Sequence, residues 1–128
     1  MTSETAIQNH TRRDFAFIGP NWRNNVGALL DARGVPVRYG LANETKAENK
    51  RTKSSDIIGI TPTLVTADMV GSIVGIFTAL ETKHSAWVFK PDDPHTIAQL
   101  NFHNIVRNAG GYAGFVNDPA QINSIVRR

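Results

Sequence analysis

The sequence predicts an α/β domain with a central mixed β-sheet flanked by α-helices, and three observations carry that expectation. Asp93 to Ala109 joins a helix-start signal to apolar residues at helical spacing, with Gly110-Gly111 following. The middle of the chain holds several short β-branched runs, and helical patterns open and close it. At 128 residues, with 41% hydrophobic and 20% charged, the chain is long enough for one core and too short for two, so one domain over residues 1–128 is expected.

The elements follow in order. Ser3 or Thr2 can cap a helix over residues 3–17; Glu4 suits its positive end, Ala6 and Ile7 begin an apolar face, and Gly19-Pro20 stop it. Trp22 to Leu30 is apolar but rich in asparagine and stays ambiguous. Val35 to Tyr39 alternates as a short strand does. Leu41 to Ser55 is the most polar stretch: Lys46, Lys50, Arg51 and Lys53 accompany the acid Glu48. It reads as a solvated loop or exposed helix, or else as a phosphate-contacting arm.

Asp56 to Ile60 is a short β-branched run closed by Thr61-Pro62. Ser72 to Thr82 is the strongest strand pattern, and its near-continuous apolarity predicts cover on both faces. Asp93 then caps a helix with Pro94 at its first position; Ile97, Leu100, Ile105, Val106 and Ala109 form its apolar side. Gly110-Gly111 lead into a strand over residues 112–116, and Asp118-Pro119 signals a terminal helix through Ile122, Ile125 and Val126.

Composition removes whole classes of chemistry. Without cysteine there is no disulfide, zinc-thiolate site, iron–sulfur cluster or thiol nucleophile. Met69 to Leu80 is interrupted by Gly71, Ser72, Gly75 and Thr78 and is shorter than the ~20 residues a membrane helix needs. Thr11-Arg12-Arg13-Asp14-Phe15 imitates a twin-arginine export signal, but Pro20, Asn21 and Arg23 cut its apolar core short of the ~7–15 residues required. The expectation is a soluble, intracellular protein without a membrane partner. A net charge of +3 permits an acidic partner without demanding one.

Chemistry concentrates at Glu81-Thr82-Lys83, the end of the strongest strand pattern. Side chains alternate on a strand, so Glu81 and Lys83 share a side. Asp56 heads another short strand; were the two strands neighbours, Asp56 and Glu81 would meet at one sheet edge. Paired carboxylates suit Mg²⁺ or Mn²⁺, and a lysine beside them can orient water or offset charge on a phosphate. The plainer reading of Glu-x-Lys is a surface ion pair. Among the histidines, His10, His84, His95 and His103 show no ligand spacing. Trp87 and Phe89 are suited either to stacking on bases or to packing.

Blocks along the chain extend this pattern: Trp22-Arg23-Asn24-Asn25-Val26-Gly27, Val37-Arg38-Tyr39-Gly40-Leu41, Ser54 to Ile60, Glu81-Thr82-Lys83, Gln99-Leu100-Asn101-Phe102 and Ala109 to Gly114. In that order they resemble the virus-type replication-repair nuclease (VRR-NUC) family of the PD-(D/E)xK nucleases, from Glu4 to about Val126. The resemblance implies a restriction-endonuclease-like core and divalent-metal-dependent hydrolysis of DNA. Asp56, Glu81 and the Thr82 backbone carbonyl would hold Mg²⁺ or Mn²⁺, with Glu4 as the first-helix acid reaching the metal directly or through water. Lys83 would assist the attacking water and Gln99 would close the site. Many members carry Pro or Gly soon after the lysine, whereas here His84-Ser85-Ala86-Trp87 continue toward Lys90-Pro91.

The resemblance further implies branched DNA as substrate, four-way junctions included, in replication, recombination or repair. It extends to homodimers among stand-alone viral members and to the cytoplasm of a bacterial or phage-infected cell. It shifts Arg23, Asn24 and Asn25 from turn formers toward DNA contacts, and Lys46, Lys50, Arg51 and Lys53 toward a phosphate-facing arm. Assigning three of the 11 acids to a metal site leaves the rest of the chain more basic than +3 suggests. Two rivals remain: a non-catalytic DNA-binding module keeping the fold, and a small-molecule metal hydrolase lacking salt-dependent DNA affinity.

Overall fold

The computed structural model describes residues 2–126. The chain is a mixed α/β structure that divides into two compact units, Met1–Gly59 and Ile60–Arg128. Among the described residues no helix is long and apolar enough to cross a membrane.

In the first unit the Ser3 hydroxyl accepts from the Ala6 N–H at 3.1 Å, so helix α1 begins at Glu4 and runs to Phe15 (Glu4–Phe15). The ambiguous asparagine-rich stretch resolves into two strands, β1 (Asn21–Arg23) and β2 (Gly27–Leu30). β2 forms an antiparallel hairpin with β3 (Pro36–Tyr39), Ala28 opposite Arg38. Asp31 organises its turn by accepting from the N–H groups of Arg33 and Val35, at 2.8 and 2.9 Å. The polar stretch contains α2 (Lys46–Arg51), capped by Thr45, whose hydroxyl accepts from the Glu48 N–H at 3.2 Å. β4 (Ile57–Gly59) closes the unit, antiparallel to β1 with Trp22 opposite Ile58.

The second unit is a β–α–β arrangement. β5 (Thr78–Thr82) and β6 (Tyr112–Val116) run parallel, Glu81 opposite Phe115, and α3 (Pro94–Asn108) connects them and packs on both. Asp93 caps α3 as expected, and Gly110, at φ +94°, turns the chain out of it. A 3₁₀ turn at Pro119–Gln121, closed by a capping box between Asp118 and Gln121, leads to the short α4 (Ile122–Ile125). Apolar burial concentrates between α3 and β6: Val106 is fully buried, and Ala113 and Val116 are buried beside it.

Three expectations are corrected. The strand expected over residues 72–82 is confined to Thr78–Thr82, because β6 starts at Tyr112, directly opposite Thr78, and supplies no partner further back. Ile73 is consequently 100% exposed. Nor is β5 covered on both faces: Ala79 and Glu81 are half-buried on the side that meets α3, while Leu80 is 39% exposed on the other. In place of one central mixed sheet, the described residues form three two-stranded sheets, two antiparallel and one parallel. Each strand flanking the expected metal site finds its partner within its own unit, β4 taking β1 and β5 taking β6.

Candidate active site

The site grows from the end of β5. The Lys83 N–H donates to the Val116 carbonyl at 2.9 Å, so the ladder continues one residue beyond the strand and side-chain alternation reaches Lys83. Glu81 and Lys83 are therefore both half-buried on the α3 side, with exposed Thr82 between them. Lys83 Nζ donates to Gln99 Oε1 at 2.8 Å. The charge of Glu81 acts on His103, one turn further along α3. Two strand residues rise about 6.6 Å and four helix residues about 6 Å, so Glu81 and Lys83 lie in step with His103 and Gln99.

Aromatic rings enclose the lysine. Lys83 Nζ lies 5.6 Å from the centre of the Trp87 ring and 5.8 Å from that of Phe115. Trp87 and Phe115 are 4.9 Å apart, and Phe89 meets Trp87 edge-on at 6.3 Å. Packing is thus what Trp87 and Phe89 do in the described structure.

His103 is 3% exposed, stands 4.6 Å edge-on to Phe115, and its Nδ1 atom is buried without a hydrogen-bond partner. Loss of hydration on burial holds its pKa below the usual histidine value; the Arg107 charge adds to this and Glu81 opposes it. The start of α3 is fixed by Asp93, which accepts from the buried Thr96 hydroxyl at 2.6 Å and the His95 N–H at 3.2 Å. The Thr96 bond, foremost among the causes, lowers the Asp93 pKa.

In the first unit, exposed Asp56 accepts the Asn24 N–H through its backbone carbonyl at 2.9 Å. Its residue borders a cavity of about 330 Å³ together with Asn24, Asn43, Asn49 and Lys53. The Asn24 side chain donates to Ser54 Oγ at 2.7 Å and the Ser55 carbonyl at 2.8 Å, and accepts from the Leu41 N–H at 3.1 Å. That amide ties the segment before Asp56 to the segment after β3. Arg23 donates to Asn9 Oδ1 at 2.7 Å, and Asn25 is exposed. Lys46, Lys50 and Arg51 are exposed on α2, Lys53 is exposed beyond it, and Glu4 is exposed in the first turn of α1.

The structure thus brings Glu81, Lys83 and Gln99 onto one strand–helix face. Asp56 lies with Asn24 and Lys53 in the first unit. Among the described residues no group of three or more histidine, aspartate or glutamate side chains is gathered to hold a metal. The Asp56 and Glu81 carboxylates take part in no hydrogen bond or salt bridge among the described residues. Histidine spacing alone passes over His103; its place one helical turn after Gln99 is the signal that finds it.

Compared with models of protein families, with curated proteins and with solved structures, the chain gives no significant match.

Proposed function

We propose that the chain is a divalent-metal-dependent DNA endonuclease of VRR-NUC type. In this reading residues 1–128 form one restriction-endonuclease-like domain acting on branched DNA such as four-way junctions, with pairing into a homodimer open to it as to stand-alone viral members of the family. The observation that supports it best is the Lys83–Gln99 hydrogen bond beside Glu81 on β5, since it sets an acid, a lysine and a glutamine together as the VRR-NUC pattern has them.

Oxygen donors suit Mg²⁺ and Mn²⁺; Glu81 and the Thr82 carbonyl are the donors for either ion at the end of β5, and Asp56 and Glu4 are the carboxylates that the family pattern would add. When bound, the ion supplies charge neutralisation at the phosphate and a more acidic water. Lys83, held by Gln99, donates hydrogen bonds toward the attacking water or a phosphate oxygen. The exposed Lys46, Lys50, Arg51 and Lys53, with Arg23 and Asn25, contact the DNA backbone, giving affinity that falls with salt, while the Asn24 amide is taken up by Ser54, Ser55 and Leu41 and holds this segment in place rather than meeting DNA.

The test is a panel of labelled four-way junction, 5′-flap, splayed arm and linear duplex, each with Mn²⁺ and Mg²⁺. Cleavage that is lost in Glu81→Ala and Lys83→Ala, with far-UV circular dichroism unchanged, supports the proposal. Binding without cleavage on every substrate replaces it with a DNA-binding module, the reading favoured by the exposed bases of α2 alone. Light scattering on the eluting protein tests the dimer.

A further inference from the structure

The loop after Lys83 is where the chain departs from the VRR-NUC pattern, and it is held firmly. Trp87 N–H donates to the His84 carbonyl at 3.0 Å. From beyond the end of β6, Asn117 Nδ2 donates to the carbonyls of Ser85, at 3.3 Å, and Trp87, at 3.2 Å. Asn117 is itself fixed by its N–H, which donates to Gln121 Oε1 at 2.9 Å within the capped turn before α4. The indole is thereby set against Phe115 at 4.9 Å and within 5.6 Å of the Lys83 ammonium.

A lysine side chain is a flexible stem bearing a compact charge, and one hydrogen bond leaves it free to swing about that contact. Ring faces attract a cation without consuming its N–H donors. Gln99 takes one donor of Lys83; the two rings restrain the ammonium and leave the remaining donors for substrate.

We propose that Trp87 is a positioning residue for Lys83, its ring acting with Phe115 and Gln99 to fix the ammonium where Glu81 and Lys83 meet substrate. The positioning stands on the geometry alone; its effect on catalysis rests on the nuclease reading.

The test uses the full chain and reads both. Ring currents should move the Lys83 ε-methylene protons upfield of those of the other lysines, the signal being assigned by its loss in Lys83→Arg. Trp87→Leu should reduce that displacement, and Trp87→Phe should keep most of it. In junction cleavage with Mn²⁺, Trp87→Leu should lower kcat about tenfold by loosening the lysine, with KM changed by less than about twofold. Trp87→Phe should restore most of the rate. An ordinary Lys83 shift in the unsubstituted chain overturns the proposal, and this reading stands even where Trp87→Leu fails to fold. An undiminished displacement or an unchanged kcat in folded Trp87→Leu overturns it as well. Displaced protons in a chain that cleaves nothing uphold the positioning and remove the nuclease reading.

Discussion

Lys83 and Gln99 are joined at 2.8 Å across the step from β5 to α3, so the lysine at the strand end is oriented by a helix that begins eleven residues later at Pro94. The pairing uses the neutral amide oxygen of Gln99 and keeps Lys83 free of any carboxylate partner among the described residues. A lysine committed to an ion pair would be poorly placed to serve a phosphate.

On the proposed nuclease reading, Gln99→Leu should therefore lower single-turnover cleavage of a four-way junction by about 10–100-fold, the range for residues that orient an active group. Circular dichroism should be unchanged. An undiminished rate would remove Gln99 from the site.

Asp93→Ala should destabilise the chain by about 0.5–2 kcal/mol, the usual cost of a lost N-cap. The upper end is expected, because Thr96 is 1% exposed and its hydroxyl loses the Asp93 acceptor. Urea unfolding measures the change, and equal stability would show that α3 does not need this cap.

Gly110 and Gly111 should each resist substitution for a different reason. A Cβ at Gly111 would stand 2.7 Å from both the Phe77 carbonyl oxygen and Val106 Cγ1, so Gly111→Ala should cost about 1–3 kcal/mol through overpacking. Gly110 has open space around it but sits at φ +94°, so Gly110→Ala should cost about 1–2 kcal/mol through backbone strain. Gly75→Ala, with open space and no such backbone demand, should stay within about 0.5 kcal/mol. Urea midpoints of the three variants in parallel decide between these mechanisms.

His103 should give the metal-free chain a pH-dependent stability. Burial against Phe115, reinforced by the Arg107 charge and opposed by that of Glu81, lowers its folded pKa, so the unfolded chain takes up the proton first. Its contribution is complete above a pH of about 6.5 and is lost as pH falls from there through the lowered folded value. Urea midpoints between about pH 7.5 and 5 should drop more steeply in the unsubstituted chain than in His103→Leu. Parallel profiles would show that His103 is protonated with equal ease in both states.

How far the sequence made this legible depends on how local each signal was. Ser3, Asp93 and Gly110 act on neighbours within a few residues, and the helix ends they mark lie where those signals put them. The strand over residues 72–82 failed because apolarity reports a wish to be buried, whereas strand length is set by a partner, here β6, that starts only opposite Thr78. The shared side of Glu81 and Lys83 was legible from alternation, since the period of two is a property of the backbone itself. The aromatic surroundings of Lys83 were not, because Phe115 arrives from the parallel strand and Trp87 from a loop positioned by Asn117.

The β–α–β arrangement also has a kinetic meaning. Only 16 residues separate Lys83 from Gln99, and much of that interval is α3 and the turn before it. Closing so short a loop costs little chain entropy, and helix growth takes about a microsecond or less. The lysine–glutamine contact can therefore arise together with α3, early in folding, while joining β1 to β4 must first close the longer loop from Trp22 to Ile58.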